Sequence, residues 1–380
     1  MKKVLALILA LCMVFALAAC GNSGAKEETG GKTKVTLWAT GSDNVRQIFE
    51  TLTADFNSKS DKYEVELQFM LSGTGAQSLA DLLTAASQAG QKNTDYDLVD
   101  FSGDDWSKVT NLIGEDKFVK LDASKLPNAA GVAKSSVAPD YCQPYRGTTV
   151  ILAYDSEKVP NPPKTVDELV EWMKANPGRF AYNQPGTGGA GDSCARSFVY
   201  NFLPEEAFTS TDEKWIAEWD KGFEFLKEIH PYMYKSGGSI VYPAKNQGTL
   251  DLLNQGEIDM CPNWADMVLS QRAQGAIKDT IKITQIQPSF TGSLQSLAIP
   301  TFGSHEEGAY AFIDYMLSPA AQEIMVKQMA AIPLIDVSGM DMTGYEDLND
   351  LDVSSFRIQS IGGLSTSFNE RWDNEIATIG

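Results

Sequence analysis

Between Val35 and Phe101 the chain switches between β-rich and helix-like patterning four times, and this alternation restricts its fold more than any other feature. Val35-Thr36-Leu37-Trp38 is a β-rich run. Gly41-Ser42-Asp43-Asn44 then supplies a turn and cap, and Val45, Ile48, Phe49, Leu52 and Phe56 recur at helical spacing. Tyr63 to Met70 (YEVELQFM) alternates as a strand, and Ser72-Gly73-Thr74-Gly75 is a loop. Leu79, Leu82, Leu83 and Ala86 mark a second helical face before Tyr96 to Phe101 forms a third strand. Strands separated by helical crossovers pair in parallel, and such a sheet binds ligands beyond its strands' carboxyl ends. Here those ends are polar: Thr40 to Ser42, Ser72 to Thr74, and Ser102-Gly103.

The second half continues in the same style. Thr148 to Tyr154 is β-rich, Thr165-Val166-Asp167-Glu168 is a capping box, and Pro177-Gly178 ends the helix it opens. Arg179 to Asn183 reads as a strand, followed by a glycine loop and a helix through Phe202. Further helices are expected over Ser210 to His230, stopped by Pro231, and over Gln247 to Asn254. Ile258-Asp259-Met260 is a short buried strand running into Pro262-Asn263-Trp264; Lys282 to Gln287 and Leu294 to Pro300 are also strand-like. Ser304 to Glu307 caps a helix carrying Tyr310, Phe312, Ile313, Met316 and Leu317. A chain of 380 residues, 43% hydrophobic, has room for two such α/β cores.

Met1-Lys2-Lys3 and the apolar run Val4 to Leu17 have the form of an export signal, too short for a membrane span. The run ends in Leu17-Ala18-Ala19-Cys20-Gly21, which resembles the bacterial lipobox. Residues 1–19 are then the signal peptide, Cys20 carries the lipid, and residues 20–34, rich in glycine, small polar and charged residues, form a flexible tether. The net charge of -19 repels phosphate backbones, so nucleic acid is not an expected partner. With only His230 and His305, histidine-rich metal centres are excluded, and neither a metal nor a cofactor is expected. Cys142, Cys194 and Cys261 lack CxxC spacing and read as small buried hydrophobes; the sequence leaves a Cys142–Cys194 disulfide undecided.

Four stretches, taken in order, resemble bacterial extracellular solute-binding proteins of ABC importers, family 1 type. They are Val35 to Trp38; Gly147 to Thr165 (GTTVILAYDSEKVPNPPKT); Leu253 to Trp264, containing NQGEIDM; and Ala311 to Met329 (AFIDYMLSPAAQEIMVKQM), where Ser318 caps a helix with Pro319 at its first position. The resemblance spans roughly residues 34–335, and Ala175 to Ser193 is most similar to the branch related to thiamine, iron and polyamine binders. It implies a two-lobed, periplasmic-binding-protein-like (type II) α/β fold with a hinge and an interlobe ligand cleft. Residues 35–146 and 291–335 would form lobe 1, residues 150–288 lobe 2, and residues 336–380 a C-terminal helical segment packed on lobe 2. The strands would cross near Arg146 to Val150 and Ser289 to Ser293. The implied function is capture of a small polar solute by a monomeric lipoprotein on the outer face of the cell membrane, which passes it to the membrane permease. An exported hydrolase is the rival reading, although GxSxG, HExxH and P-loop motifs are absent. A ligand-binding component of a sensor system is another.

The candidate ligand residues follow from position. Trp38, Thr40 and Ser42 follow the first strand, Trp38 being either a stacking wall or core filling. Ser72, Gly73 and Thr74, and Ser102 and Gly103, offer hydroxyls and amides, although turn chemistry also explains them. Gly186 to Gly191 satisfies GxGxxG, but not after the first strand of a domain, so a dinucleotide site is not expected. Gly188, Gly189, Asp192 and Ser193 at the start of a helix remain suited to an oxyanion or a sugar oxygen. Asn263, Trp264 and Asp266 match the family position that faces the cleft, and Arg146 at the hinge pairs with either a ligand anion or a neighbouring acid.

Overall fold

A computed structural model describes residues 31–41, 43–71, 78–132 and 138–379. In it the alternating first region becomes β1 (Thr33–Gly41), α1 (Asp43–Lys59), β2 (Tyr63–Leu71), α2 (Leu79–Gln88), β3 (Leu98–Phe101) and α3 (Gly103–Ile113). β1 lies between β2 and β3 and is parallel to both. Val35, Leu37 and Ala39 point to a core that also holds Ile48, Phe49 and Leu52 of α1. Val99 and Phe101 of β3 point the other way, toward Leu83 of α2 and Trp106 of α3. The period-two alternation of a strand, with helices on both faces, produces these two layers.

The chain then runs through β4 (Gln143–Asp155), α4 (Val166–Ala175), α5 (Gly189–Tyr200), α6 (Asp220–Ile229), the hairpin β5 (Lys235–Ser236) and β6 (Ser239–Ile240), α7 (Lys245–Gln255), β7 (Met260–Trp264), α8 (Ala265–Ala273) and β8 (Ile281–Thr284). β9 (Thr291–Ala298), α9 (Glu306–Met316), α10 (Pro319–Met329), β10 (Arg357–Ile358) and α11 (Leu364–Glu375) complete it. Two strands are shared by the whole sheet. The first part of β4 pairs with β9, from Gln143↔Leu297 to Thr149↔Gly292, while the last part pairs with β7 and β8. β9 in turn pairs with β3 through Ser296 to Ala298. Leu152, Phe180, Phe198 and Trp219 form a second large core, which Phe368 and Trp372 of α11 enter. α10 serves both sides: Met325 and Met329 lie in the β1–β3 core, Val326 and Ala330 in the core behind β7.

Several elements differ from the sequence reading, each for a local reason. Arg179 to Asn183 is not a strand. Phe180 makes only isolated bridges to Met233 and Met260, because the flanking amides of Gly178 and Gln184 donate to Tyr232 O and Pro243 O. The short strand expected over Ile258 to Met260 lies further along as β7 and contains Pro262, which an edge strand tolerates. Ser210 to His230 is a 3₁₀ turn over Glu213–Glu218 followed by α6. Ser304 does not cap α9: Ser304 N and His305 N both donate to Asp97 Oδ1, at 2.7 and 2.9 Å, so a buried carboxylate from another part of the chain takes the place of the cap. Glu168 accepts from Lys164 N rather than from the cap residue Thr165, so the capping box is only half formed. Ser318 and Pro319 take the cap and first-turn positions of α10 as expected. Cys142, Cys194 and Cys261 are free, buried thiols, and burial pushes that of Cys261 up to about 12.

Gln322 fastens the hinge strand. It is 1% exposed; its Nε2 donates to Tyr145 O and Met316 O, both at 2.8 Å, and its Oε1 accepts from Leu334 N at 3.0 Å. Gln322→Leu keeps the volume but strands three backbone groups. The expected loss is at least about 2 kcal/mol of unfolding free energy, since each buried orphan costs about 1–3 kcal/mol. A urea titration with unchanged slope and a lower midpoint checks this.

Candidate functional site

Where β4 and β9 cross between the two cores, three helices begin. Ser102 caps α3 from the β1–β3 side, Gly189 opens α5, and Trp264, the last residue of β7, leads into α8. They surround a cavity of about 270 Å³, walled by Ser102 on one side and by Gly189, Asp192, Ser193, Arg196 and Trp264 on the other. Thr291 to Ser293 of β9 form its back, and Ile358 to Ser360 a further edge. A larger groove of about 850 Å³ beside Phe208 and Arg357 receives no residue from the β1–β3 side, so lobe closure would not act on it.

The glycines at the start of α5 serve close packing. A Cβ on Gly189 would lie 2.9 Å from Trp264 Cζ2, and one on Gly191 only 1.8 Å from Asn183 O. Removing side chains there lets α5 rest on the indole and on the preceding loop. Gly188 packs equally closely on Asn246, whose Oδ1 accepts from Ala190 N at 3.0 Å. That amide of the helix start is therefore already engaged, contrary to the expectation of an open oxyanion cradle. Asp192 Oδ1 accepts from Gly186 N at 3.0 Å and from Arg196 Nη2 at 2.9 Å. Ser193 ties α5 to the hinge: its Oγ accepts from Thr291 N at 2.8 Å and from Thr291 Oγ1 at 2.7 Å.

Behind the cavity lies a charged floor. Arg146, 7% exposed, follows a bulge in β4, and its Nε has no hydrogen-bond partner; among the described residues no carboxylate comes within ion-pairing distance of its guanidinium. Asp100 of β3 accepts from Tyr145 OH at 2.9 Å, and Asp266 of α8 from Thr148 Oγ1 at 3.3 Å. Burial raises the Asp100 carboxyl to about 7, with Arg146 and the Tyr145 hydroxyl pulling the other way. Burial likewise raises Asp266, again opposed by Arg146. The floor thus joins β3, β4 and α8 through one cation and two acids.

The expected residues divide accordingly. Ser102, Gly189, Asp192, Ser193 and Trp264 meet at the cavity. Trp38 does not: its Nε1 donates to Asp95 O at 3.1 Å and its ring packs on Tyr96, 5.1 Å between centroids, so it is core filling. Thr40, half-buried on β1 opposite Met70, also lies outside the lining. Asn263 is turned away; fully buried, it donates to Asn246 O at 3.0 Å and accepts from Trp264 N at 2.9 Å. Arg146 and Asp266 belong to the floor, and Gly103 opens α3. Ser42, Ser72, Gly73, Thr74 and Cys20 lie outside the described residues. Sequence reasoning missed Arg196, although its i+4 spacing from Asp192 was visible, and missed Ile358 to Ser360, for which no sequence signal existed.

Two α/β bodies joined by two shared strands, with a polar, indole-bearing cavity at the junction, define a two-lobed ligand-binding protein. The chain belongs to the bacterial extracellular solute-binding protein family, whose model matches residues 51–342. It is 21% identical over 336 residues to protein YnjB of Escherichia coli (strain K12), covering 83% of this chain and 82% of that one. An ABC transporter structure from Clostridium perfringens is 16% identical with a TM-score of 0.60, covering 90% of this chain and 99% of that one. A Trichodesmium protein solved in complex with iron and citrate ligands is 13% identical with a TM-score of 0.62, covering 90% and 98%.

Asp100 makes the floor pH-sensitive. Its folded-state pKa of about 7 lies above the ordinary 3.8, so its contribution to stability is complete below about pH 4 and is lost as pH rises through 7. The steepest slope is about 1.4 kcal/mol per pH unit. Urea midpoints between pH 4.5 and 8 are expected to fall less steeply for Asp100→Asn than for the wild type.

Proposed function

We propose that this protein captures a small polar solute in the cavity between its lobes and delivers it in the closed form to the membrane permease of an ABC importer. The observation that carries this reading is the cavity itself, which takes Ser102 from one side of the shared strands and Ser193 and Trp264 from the other. A solute touching both walls gains its full contact energy only when the lobes are shut, so binding shifts the population toward the closed state. No covalent step is required. The two histidines support this, since His230 Nδ1 meets Tyr242 OH at 2.8 Å and His305 Nδ1 meets Asp97 Oδ2 at 3.1 Å, both away from the cavity. In this reading the protein acts as a monomer held to the outer face of the membrane by lipid on Cys20.

Thermal-shift screening against thiamine, spermidine, ferric citrate, phosphonates and oligosaccharides tests the capture. A true ligand raises the melting temperature by mass action, and X-ray scattering should show compaction at saturation. Trp264→Ala should weaken that ligand about tenfold or more while leaving the ligand-free melting temperature within a few degrees. Silence across the panel together with no compaction would refute the trap. Cys20→Ser should move the protein from the membrane fraction to the medium and abolish incorporation of labelled fatty acid.

A further inference from the structure

Away from the cavity between the lobes lies the groove of about 850 Å³, walled by the turn over Glu205–Thr209, by Gln287 to Ser289 ahead of β9, and by Ser354 to Ile358. Arg357 of β10 stands in its wall. The guanidinium carbon lies 3.9 Å from the centroid of the Phe208 ring, and Nη1 donates to Asn201 Oδ1 at 2.5 Å and to Ser289 O at 3.3 Å. Phe208, Asn201 and Ser289 line the groove themselves, so the guanidinium, and not only the backbone of Arg357, belongs to this surface. β10 fixes the residue from behind by pairing with β9, Arg357 opposite Thr291.

These contacts use one face and one end of the guanidinium. Among the described residues nothing accepts a hydrogen bond from Nε or Nη2, and neither nitrogen is sealed from solvent. Together they form the side edge of the planar fork, which takes the two oxygens of a carboxylate or phosphate in parallel bonds. The charge is unmatched as well. Arg357 forms no ion pair among the described residues; burial pulls its pKa down to about 10, and Glu205, on the exposed rim, is the carboxylate that pulls the other way. A partly buried cation without a counter-ion carries a desolvation cost that an oxyanion seated on it offsets. Thr209 and Gln287, both exposed, bring a hydroxyl and an amide to the same groove.

We infer that this groove is a second binding site, separate from the solute cavity, and that it takes an oxyanion-bearing ligand, a carboxylate or a phosphate, on the Nε–Nη2 edge of Arg357. No residue of the β1–β3 side lines the groove, so its ligand binds without lobe closure and the inference does not depend on the capture reading.

Isothermal titration of the purified protein with inorganic phosphate, citrate and maltose, paired with X-ray scattering, tests the site. Phosphate or citrate should bind with a Kd of roughly 1 mM or tighter, more weakly as salt is raised, and without compaction of the protein. Maltose should not compete. Whichever anion binds more tightly identifies the oxyanion class. Trp264→Ala should leave this binding intact, whereas Arg357→Leu should weaken it about tenfold or more. Arg357→Lys, which keeps the charge but loses the fork, replaces the leucine variant if that one folds poorly, and should also weaken the anion. Glu205→Gln should tighten the anion about twofold by removing a like charge from the rim, a readout that a purely structural Arg357 would not move. Absence of anion binding, or affinity unchanged in a folded Arg357 variant, overturns the inference. Anion binding that compacts the protein and is lost in Trp264→Ala overturns it too, by assigning the anion to the cavity between the lobes.

Discussion

The antiparallel pairing of β4 with β9 is the constraint on which the rest of the molecule depends. Both strands are used on each side of the junction: β9 reaches β3 through Ser296 to Ala298, and β4 reaches β7 and β8 through Val150 to Asp155. A backbone ladder cannot be broken without leaving buried amides and carbonyls unpaired, so the two bodies are joined by their stiffest element, not by a loose linker. Motion is then confined to bending and twisting of two adjacent strands, which is how a hinge closes two walls on each other. Gln322 reinforces the same place by satisfying three backbone groups, at the β4 bulge, at the end of α9 and in the chain after α10.

Polar groups gather at this junction because the strand ends and helix starts meet there. The starts of α3, α5 and α8 bring serine, glycine and aspartate together with one indole, and the bulge in β4 sets Arg146 between Asp100 and Asp266. Burial makes the acids reluctant to ionise, and the guanidinium opposes that shift. Such an arrangement is expensive for stability.

Period and turn chemistry made the three parallel strands and their helices legible, because Val35, Leu37, Ile48 and Phe49 show their faces by spacing alone. Local signals failed where a distant group replaced them. Ser304 reads as a cap, yet Asp97 takes that place from two hundred residues away, and Arg179 to Asn183 reads as a strand whose flanking amides pair elsewhere. At the site, Ser102, Asp192, Ser193 and Trp264 were found because they follow strand ends or open helices. Trp38 occupies an equivalent position, but its indole turns to Asp95 and Tyr96, and nothing in spacing distinguishes a wall from a filler.

By itself the amino-acid sequence determined the class of fold, the family resemblance and the polar character of the strand ends, since periodicity, capping and composition are local properties. Only the tertiary structure decided which polar residues share one cavity. Asn263 and Asp192 look alike as candidates, yet one is buried against α7 and the other faces the gap. That Ile358 to Ser360 form an edge of that gap depends on the tail pairing with β9, a contact between residues far apart in the chain that no local pattern encodes.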